Sequence, residues 1–319
     1  MQVKKVISVL ISVVFLAAVV CSAADKVDLK LRLKAGDSHE MKMTQTQNIA
    51  QTMNGSEIKM KQTMEMVFGY DCLGVDANGA MDVEMTYKSV KMIMEGPMGR
   101  MEVDSANPQS ADPNRPDQKM MGTMVSAMAG CKFQMTIKPT GESSNIRGMK
   151  EMLAKITGSM PQGPESEKVG NIFEKMFDEK QIKELTGNMM TMFPAEPIAV
   201  GDSWYDTKSI NFMMPIDIDT TYMLKQSKDG IAYIDAVSKF DMGDSTKPLE
   251  IDPNNKMSMQ LSGSINTTSE IDEKTGLTRK SNITINFSGI MKMEANEQMP
   301  DGMTIPMTIK GDAAVELIK

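Results

Sequence analysis

From Met41 to Tyr70 apolar side chains return two residues apart on both sides of a single Asn54-Gly55. Met41, Met43, Ile49 and Met53 share one parity before that dipeptide; Ile58, Met60, Met64, Met66, Phe68 and Tyr70 share one after it. A period of two puts such side chains on one face of an extended strand. Asn-Gly supplies the two positive-φ residues that a tight hairpin turn requires. The stretch predicts a long antiparallel hairpin with one apolar face.

The same grammar recurs along the chain. Asp76-Ala77-Asn78-Gly79 marks a second turn, and Met81, Val83, Met85 and Tyr87 resume the alternation. The parity switches near Lys88–Val90, which predicts a β-bulge. Leu29, Leu31 and Leu33 alternate with basic residues and read as a further strand. Ser105–Asp117 is polar, carries three prolines and reads as a mobile loop. Helical spacing follows over Gln118–Gly130, Arg147–Thr157 and Val169–Leu185, with a strand at Lys132–Lys138. Strands return after Pro194, in hairpins around Lys228-Asp229-Gly230 and Glu273-Lys274-Thr275-Gly276, and Met303–Ile318 closes the chain. The predicted fold is mainly β (α+β): a curved antiparallel sheet or half-barrel with a helical insertion in the middle third. Two separate sheets joined by the helices are the alternative. The expected organisation is a signal peptide over 1–24 and a single β-rich domain over 25–319. That domain carries its helical insertion at about 117–190 and its mobile loop at 105–117.

The export expectation rests on the first residues. Lys4 and Lys5 precede an apolar run from Val6 to Val20, broken only by two serines, and Ser22, Ala23 and Ala24 follow. About 15 apolar residues are short for the ~20 that a bilayer span needs. Cleavage after Ala23 or Ala24 is expected, giving a periplasmic or extracellular protein; lipoprotein anchoring through Cys21 is the lesser alternative. No later segment is apolar enough to span a membrane. Removing Lys4 and Lys5, with no acidic residue in 1–24, takes the formal charge from −7 to −9. Such a chain lacks the basic stripe that nucleic acid demands. Cys72 and Cys131 then remain, and in an oxidising compartment they form a disulfide candidate. Two buried free thiols are the plain alternative.

Phe193-Pro194-x-x-Pro197 followed by Val200-Gly201-Asp202-Ser203-Trp204 resembles the hallmark of an exported bacterial family known as domain of unknown function 6263. The stretches LKLRLKAGDSHEMKMTQTQ and GVDANGAMDVEMTYKSVKM carry the same resemblance. It implies an export signal and a β-rich fold, with no activity and no catalytic residues to carry over. The motif also has a local physical reading: the prolines stop the preceding helix, Gly201-Asp202 turns the chain, and Trp204 anchors a sheet edge on the core. A ligand-facing Trp204 ring is the other reading.

Catalytic chemistry finds few residues to use. The single histidine, His39, sits in a polar turn with no Gly-x-Ser-x-Gly elbow elsewhere. Asp217 and Asp219 share a strand face, where paired carboxylates ordinarily keep an edge soluble. Asp76-x-Asn78-Gly79 copies only part of a calcium loop. No zinc spacing, phosphate loop or dinucleotide pattern is present, and no cofactor is expected. The 36 methionines leave two readings. Met-x-Met on a strand places two thioethers on one face ~6–7 Å apart, so Met41, Met43, Met64 and Met66 are the candidate Cu(I) ligands. The stronger reading is a core written in methionine, soft enough to repack around apolar guests. The chain is therefore expected to be non-enzymatic, with an apolar small molecule or an envelope protein as partner. Cu(I) binding and a purely structural envelope role are the alternatives.

Overall fold

The computed structural model describes residues 26–53, 55–97, 99–107, 115–160, 163, 193–212, 214–242, 249–252, 255–295 and 301–319. The expected signal peptide, residues 108–114 of the loop and the helix expected at Val169–Leu185 lie outside them.

The Asn54-Gly55 hairpin is present as β1 (Ser38–Met53) and β2 (Ser56–Val75), paired from Met53↔Ser56 to Ser38↔Asp71. Asp76 closes the next turn by accepting hydrogen bonds from the backbone N–H groups of Asn78 and Ala80 at 2.8 Å each. It leads into β3 (Met81–Gly96). The predicted parity switch is a bulge: Val67 pairs Ser89 while Phe68 pairs Tyr87, leaving Lys88 as the extra residue. The short β4 (Gly99–Asp104) pairs β3, and α1 (Pro116–Met128) packs on both. Next come β5 (Lys132–Ile137), β6 (Ser143–Arg147) and α2 (Met149–Gly158). The helix expected at Arg147–Thr157 is thus preceded by a strand that the sequence pattern did not show.

The second half is a meander: β7 (Ser203–Phe212), β8 (Met214–Lys228), β9 (Ile231–Asp241), β10 (Leu249–Asp252), β11 (Asn255–Asp272), β12 (Thr278–Met293) and β13 (Met303–Leu317). All thirteen strands belong to one sheet, ordered β6-β5-β3-β2-β1-β13-β12-β11-β9-β8-β7, with β10 on β11 and β4 on β3. The two-sheet alternative is overturned because β1 and β13 pair along eleven residues, from Met41↔Leu317 to Gln51↔Met307. The sheet does not close into a barrel.

Laid flat, β5 and β9 would stand seven strand spacings apart, ~34 Å. Instead Phe133 and Ile137 of β5 share one buried cluster with Leu224 of β8 and Ile234 of β9. The sheet must curl to bring them together. Gly263, Gly289 and Gly311 mark the bend on three adjacent strands. A Cβ on Gly289 would fall onto the Gln260 carbonyl oxygen, and one on Gly263 onto that of Asn286. Only glycine lets neighbouring backbones approach so closely. Phe287 and Phe240, centroids 4.6 Å apart, flank Gly263 and refill the missing side-chain volume.

The Leu29–Leu33 segment is not the strand its alternation predicts. Its backbone lies across one end of the curl: Leu31 N–H donates to Pro139 O (2.8 Å) and Arg32 N–H to Thr275 O (2.7 Å). Leu29, Leu31 and Leu33 are buried in the shared core. The alternation was real, but the side chains plug the narrow end between two turns instead of adding a ladder.

Candidate functional site

The register sorts the side chains of the sheet onto two chemically different faces. One row crosses ten strands on the concave side: Trp204, Tyr222, Ala236, Thr267, Ile283, Ala313, Gln45, Met64, Met92 and Val103. Four residues along, a second runs Met60, Ile49, Ile309, Phe287, Gly263, Phe240, Ile218 and Lys208, and the row between them carries Gln62, Gln47, Gly311, Ile285, Ile265, Ser238, Thr220 and Asp206. On the opposite side, the row through Lys61, Asn48, Lys310, Asn286, Ser264, Lys239, Asp219 and Thr207 is wholly polar.

Electrostatics follow the same division. On the concave side burial pushes the Tyr70 hydroxyl well up, and that of Tyr87 as well, and burial likewise raises the Cys72 thiol. All three stay neutral in a dry environment. On the polar side Glu84 is held low by hydrogen bonds from Lys132 (2.6 Å) and Gln134 (3.0 Å).

The narrow end is packed. It keeps a cavity of about 60 Å³ bounded by Leu31, Met41, Tyr70, Ile137, Phe193 and Leu277. Ligand pockets run to ~300–1,000 Å³, so this void is no acyl-chain site. Away from that end Met242, Leu261 and Met307 form a small buried cluster packed with Ile49, Phe240, Met259, Met291 and Ile309, and the rest of the concave face is less covered. Met43, Met60, Met64, Ile265, Ile285, Phe287, Met291 and Ile309 are only half-buried. The two described helices lie on one wing, α1 on β3 and β4 and α2 on β5. Met152 and Ile156 of α2 share the buried cluster with Tyr222 and Leu224 of β8 and Ile234 of β9. A hollow of about 470 Å³ is bounded by Asn48, Lys59, Lys61 and Lys310 together with Ile49 and Met60.

The candidate Cu(I) ligands all fall on the concave face. Met43 stands directly opposite Met66, Met64 opposite Met92, and Met41 opposite Phe68. Met66 and Met92 pack with Met101, Met121 and Met128 around buried Val90, Val103 and Val125, as ordinary core side chains do. No group of three His, Cys, Asp or Glu able to hold a metal occurs among the described residues.

The disulfide expected between Cys72 and Cys131 is not formed; both are buried free thiols. Cys72 opposes Val83 on one side of β3, while the Cys131 carbonyl accepts from Tyr87 N–H on the other. An intervening strand separates the two by ~10 Å laterally, more than the ~7 Å between Cα atoms that a disulfide tolerates. His39 belongs to β1 opposite Tyr70, not to a solvated turn. Asp217 and Asp219 lie exposed on the polar face, accepting hydrogen bonds from Ser209 (2.6 Å) and Tyr205 (2.8 Å).

The Phe193–Trp204 motif is a corner. Phe193 is buried and its N–H donates to Thr140 O. Pro194 and Pro197 bracket the approach to Ile198, which bridges to Val27. Gly201 takes φ +95°, and the Asp202 carboxylate accepts from Ala199 N–H at 2.9 Å. Ser203 then opens β7, and Trp204 stacks on Tyr222 with centroids 5.1 Å apart against the shared core. Sequence reasoning missed two residues of this strand, Asp206 and Lys208. They share the parity of Trp204 and so point charge to the concave side; that shared parity was the available signal.

Fold and faces together define an open, single-sheet β protein with a mainly apolar concave face and, among the described residues, two helices on one wing. The family model of DUF6263, a family of unknown function, matches residues 78–278, and the chain belongs to that family. No curated protein matches it. Among solved structures, one of lipid–protein interactions in lipovitellin is similar at a TM-score of 0.45 and 8% identity, over 90% of this chain and 25% of that one. The chain thus spans a quarter of the lipovitellin chain it matches. An outer membrane channel from Pseudomonas putida F1 is similar at 0.25 and 7% identity, over 92% of this chain and 99% of that one. Scores this low leave the family match as the finding that classifies the chain. No helix among the described residues is long and apolar enough to cross a membrane.

Proposed function

We propose that the protein is exported and, without catalysing a reaction, holds an apolar molecule against the concave face of its sheet. The observation that carries this reading is the half-buried apolar lining that runs from Met60 through Ile49, Ile309 and Phe287, across Gly263 to Phe240 and Ile218. Apolar surface left part-exposed across several strands is costly in water and ordinarily marks a binding face. Methionine among its residues lets the lining repack around guests of different shape.

The test is native mass spectrometry of the mature protein after incubation with an excess of total lipid extract. An adduct in the lipid mass range, lost on denaturation, is the expected result. A bare protein mass under that excess refutes the reading and favours a structural role in the envelope. A copper adduct on protein purified from its own host would instead favour the Met43–Met66 and Met64–Met92 pairs as thioether ligands.

A further inference from the structure

Three lysines gather on the polar face around one short side chain. Asn48 of β1 stands between Lys61 of β2 and Lys310 of β13; two residues along, Ala50 stands between Lys59 and Thr308. These six residues bound the hollow of about 470 Å³. Ala50 has the shortest side chain of the six, so the others stand up around it, and all but Ala50 are exposed. Ile49 and Met60, which also bound the hollow, fall between the two rows in the chain and so send their own side chains to the concave side.

Solvated lysines are the plain reading of such a patch, and the rest of this face shows what that looks like. Lys42 stands 3.2 Å from Glu65, Lys91 2.8 Å from Glu102 and Lys280 3.5 Å from Glu316. Around the hollow the pattern fails. Lys310 is flanked by Asn48 and Asn286, both neutral. Lys61 faces Glu95 in register, but its ammonium forms no ion pair among the described residues, and Glu95 lies 3.7 Å from Arg100 instead. Lys59 has a partner, Glu57 at 2.9 Å. Three ammonium groups against the carboxylate of Glu95 leave the rim with two positive charges, in a chain of net charge −7. Lysine also guards exposed sheet edges, but β1, β2 and β13 lie inside this sheet.

We propose that this hollow binds a phosphomonoester, independently of any guest on the concave face. Apart from Glu95, the polar side chains of the rim are all donors: the three ammoniums, the Asn48 amide and the Thr308 hydroxyl. A phosphomonoester brings a charge of about −1.5 to −2 and three strong acceptor oxygens, which matches the rim in both charge and donors. A carboxylate brings one charge and two oxygens and leaves part of the rim unmatched. Lys61 and Lys310 stand two strand spacings apart, ~10 Å, a gap that two lysine side chains close upon one phosphate group. The volume falls within the ~300–1,000 Å³ of small-molecule sites, which leaves room beside the phosphate for a body the size of a sugar ring.

The test is isothermal titration calorimetry of the purified protein with glucose 6-phosphate, and with glucose 6-sulfate as a singly charged ester of similar shape. The phosphate is expected to bind at least about fivefold more tightly, and Lys310→Gln to weaken it about tenfold through loss of one charge-assisted contact. Lys239→Gln is the control. It removes the same charge from the same row, where Lys239 faces Asp219, three strand spacings or ~14 Å away, beyond the ~10 Å over which charge acts at 0.1 M salt. Both positions are exposed, and thermal melts of each variant check that it folds. A second arm sediments the protein with phosphatidylcholine vesicles containing phosphatidate, which carries the same ester. Vesicle binding without sugar-phosphate binding, lost in Lys310→Gln, supports the site and assigns the ester to a lipid headgroup. Binding that falls equally in Lys310→Gln and Lys239→Gln reports a diffuse field and overturns the proposal. So does a preference for the sulfate, or no binding in either arm.

Discussion

Substituting Gly289 by alanine tests the curl of the sheet directly. The added Cβ would fall onto the Gln260 carbonyl oxygen and stand 2.9 Å from Leu261 Cα. Both are backbone atoms of β11, so no side-chain rotation relieves the contact, and β11 and β12 must part locally. Overpacking of this kind costs about 1–3 kcal/mol, and stretching one ladder hydrogen bond adds about 1 kcal/mol. The expected loss is therefore ~2–4 kcal/mol, a large share of an ordinary domain's stability. Urea unfolding followed through Trp204 emission measures it, as a lower midpoint at unchanged slope. Gly74→Ala is the internal control, since nothing lies within 4 Å of its added Cβ; there a gain of up to about 1 kcal/mol is expected from the stiffer unfolded chain. If Gly289→Ala costs less than about 0.5 kcal/mol, β11 and β12 do not approach as closely as the curl requires, and the reasoning fails.

Gly276 holds φ +72° with its Cα against the Lys30 carbonyl, so Gly276→Ala should cost at least ~2 kcal/mol and expose the Leu29–Leu33 segment to limited proteolysis. For acid stability, hydrogen bonds from Lys132 and then Gln134 hold Glu84 below its ordinary 4.5. The folded state thus binds fewer protons than the unfolded one; its stabilisation is full above about pH 4.5 and lost as pH falls through the depressed folded value. Glu84→Gln should accordingly be less stable than wild type at pH 7, the difference shrinking in urea titrations below pH 4. Alkylation should label Cys72 and Cys131 only after unfolding, both together; a mass two units short with no labelling would restore the disulfide. Met43→Leu combined with Met66→Leu should cost less than about 1.5 kcal/mol as a volume-conserving exchange, and should leave competition for Cu(I) unchanged if the thioethers serve packing alone.

The elements that the sequence showed most clearly are those where local chemistry leaves no choice. Asp229 and Gly230 take φ +53° and +75° in the β8–β9 turn, as a tight hairpin demands. The Lys88 bulge was legible because one inserted residue flips the parity of everything after it. What was not legible depends on partners distant in sequence. Leu29, Leu31 and Leu33 alternate like a strand, and only the meeting of the Pro139 and Thr275 turns makes them a plug. β6 is five residues with no strong alternation, held by pairing to β5. The cysteines looked paired by compartment logic, which takes no account of the strand between them. At the candidate site, the apolar lining was readable from parity. The Asp206–Lys208 pair was hidden because charges on an edge strand are ordinarily assumed to face water.

The placement of methionine argues for a face that adapts. Of the eight largest fully buried side chains, seven are Leu, Ile or Val and one is Met81. Five of the seven, Leu29, Val83, Ile137, Leu224 and Ile271, lie in the cluster at the narrow end beside buried Met81, Met85 and Met135, while Val90 and Val103 pack with Val125 of α1. Methionine also recurs at half-buried positions of the concave face, at Met43, Met60, Met64, Met259, Met291 and Met303, beside Ile49, Ile265, Ile285 and Ile309. A face whose only task were support would gain from the same branched residues that lock the other end. Flexible thioethers cost specificity of packing, a cost that the proposed binding of apolar guests of varied shape would account for. The opposite face carries the polar rows, and the glycine bend turns the two wings toward one another, the geometry on which the proposed binding of an apolar guest relies.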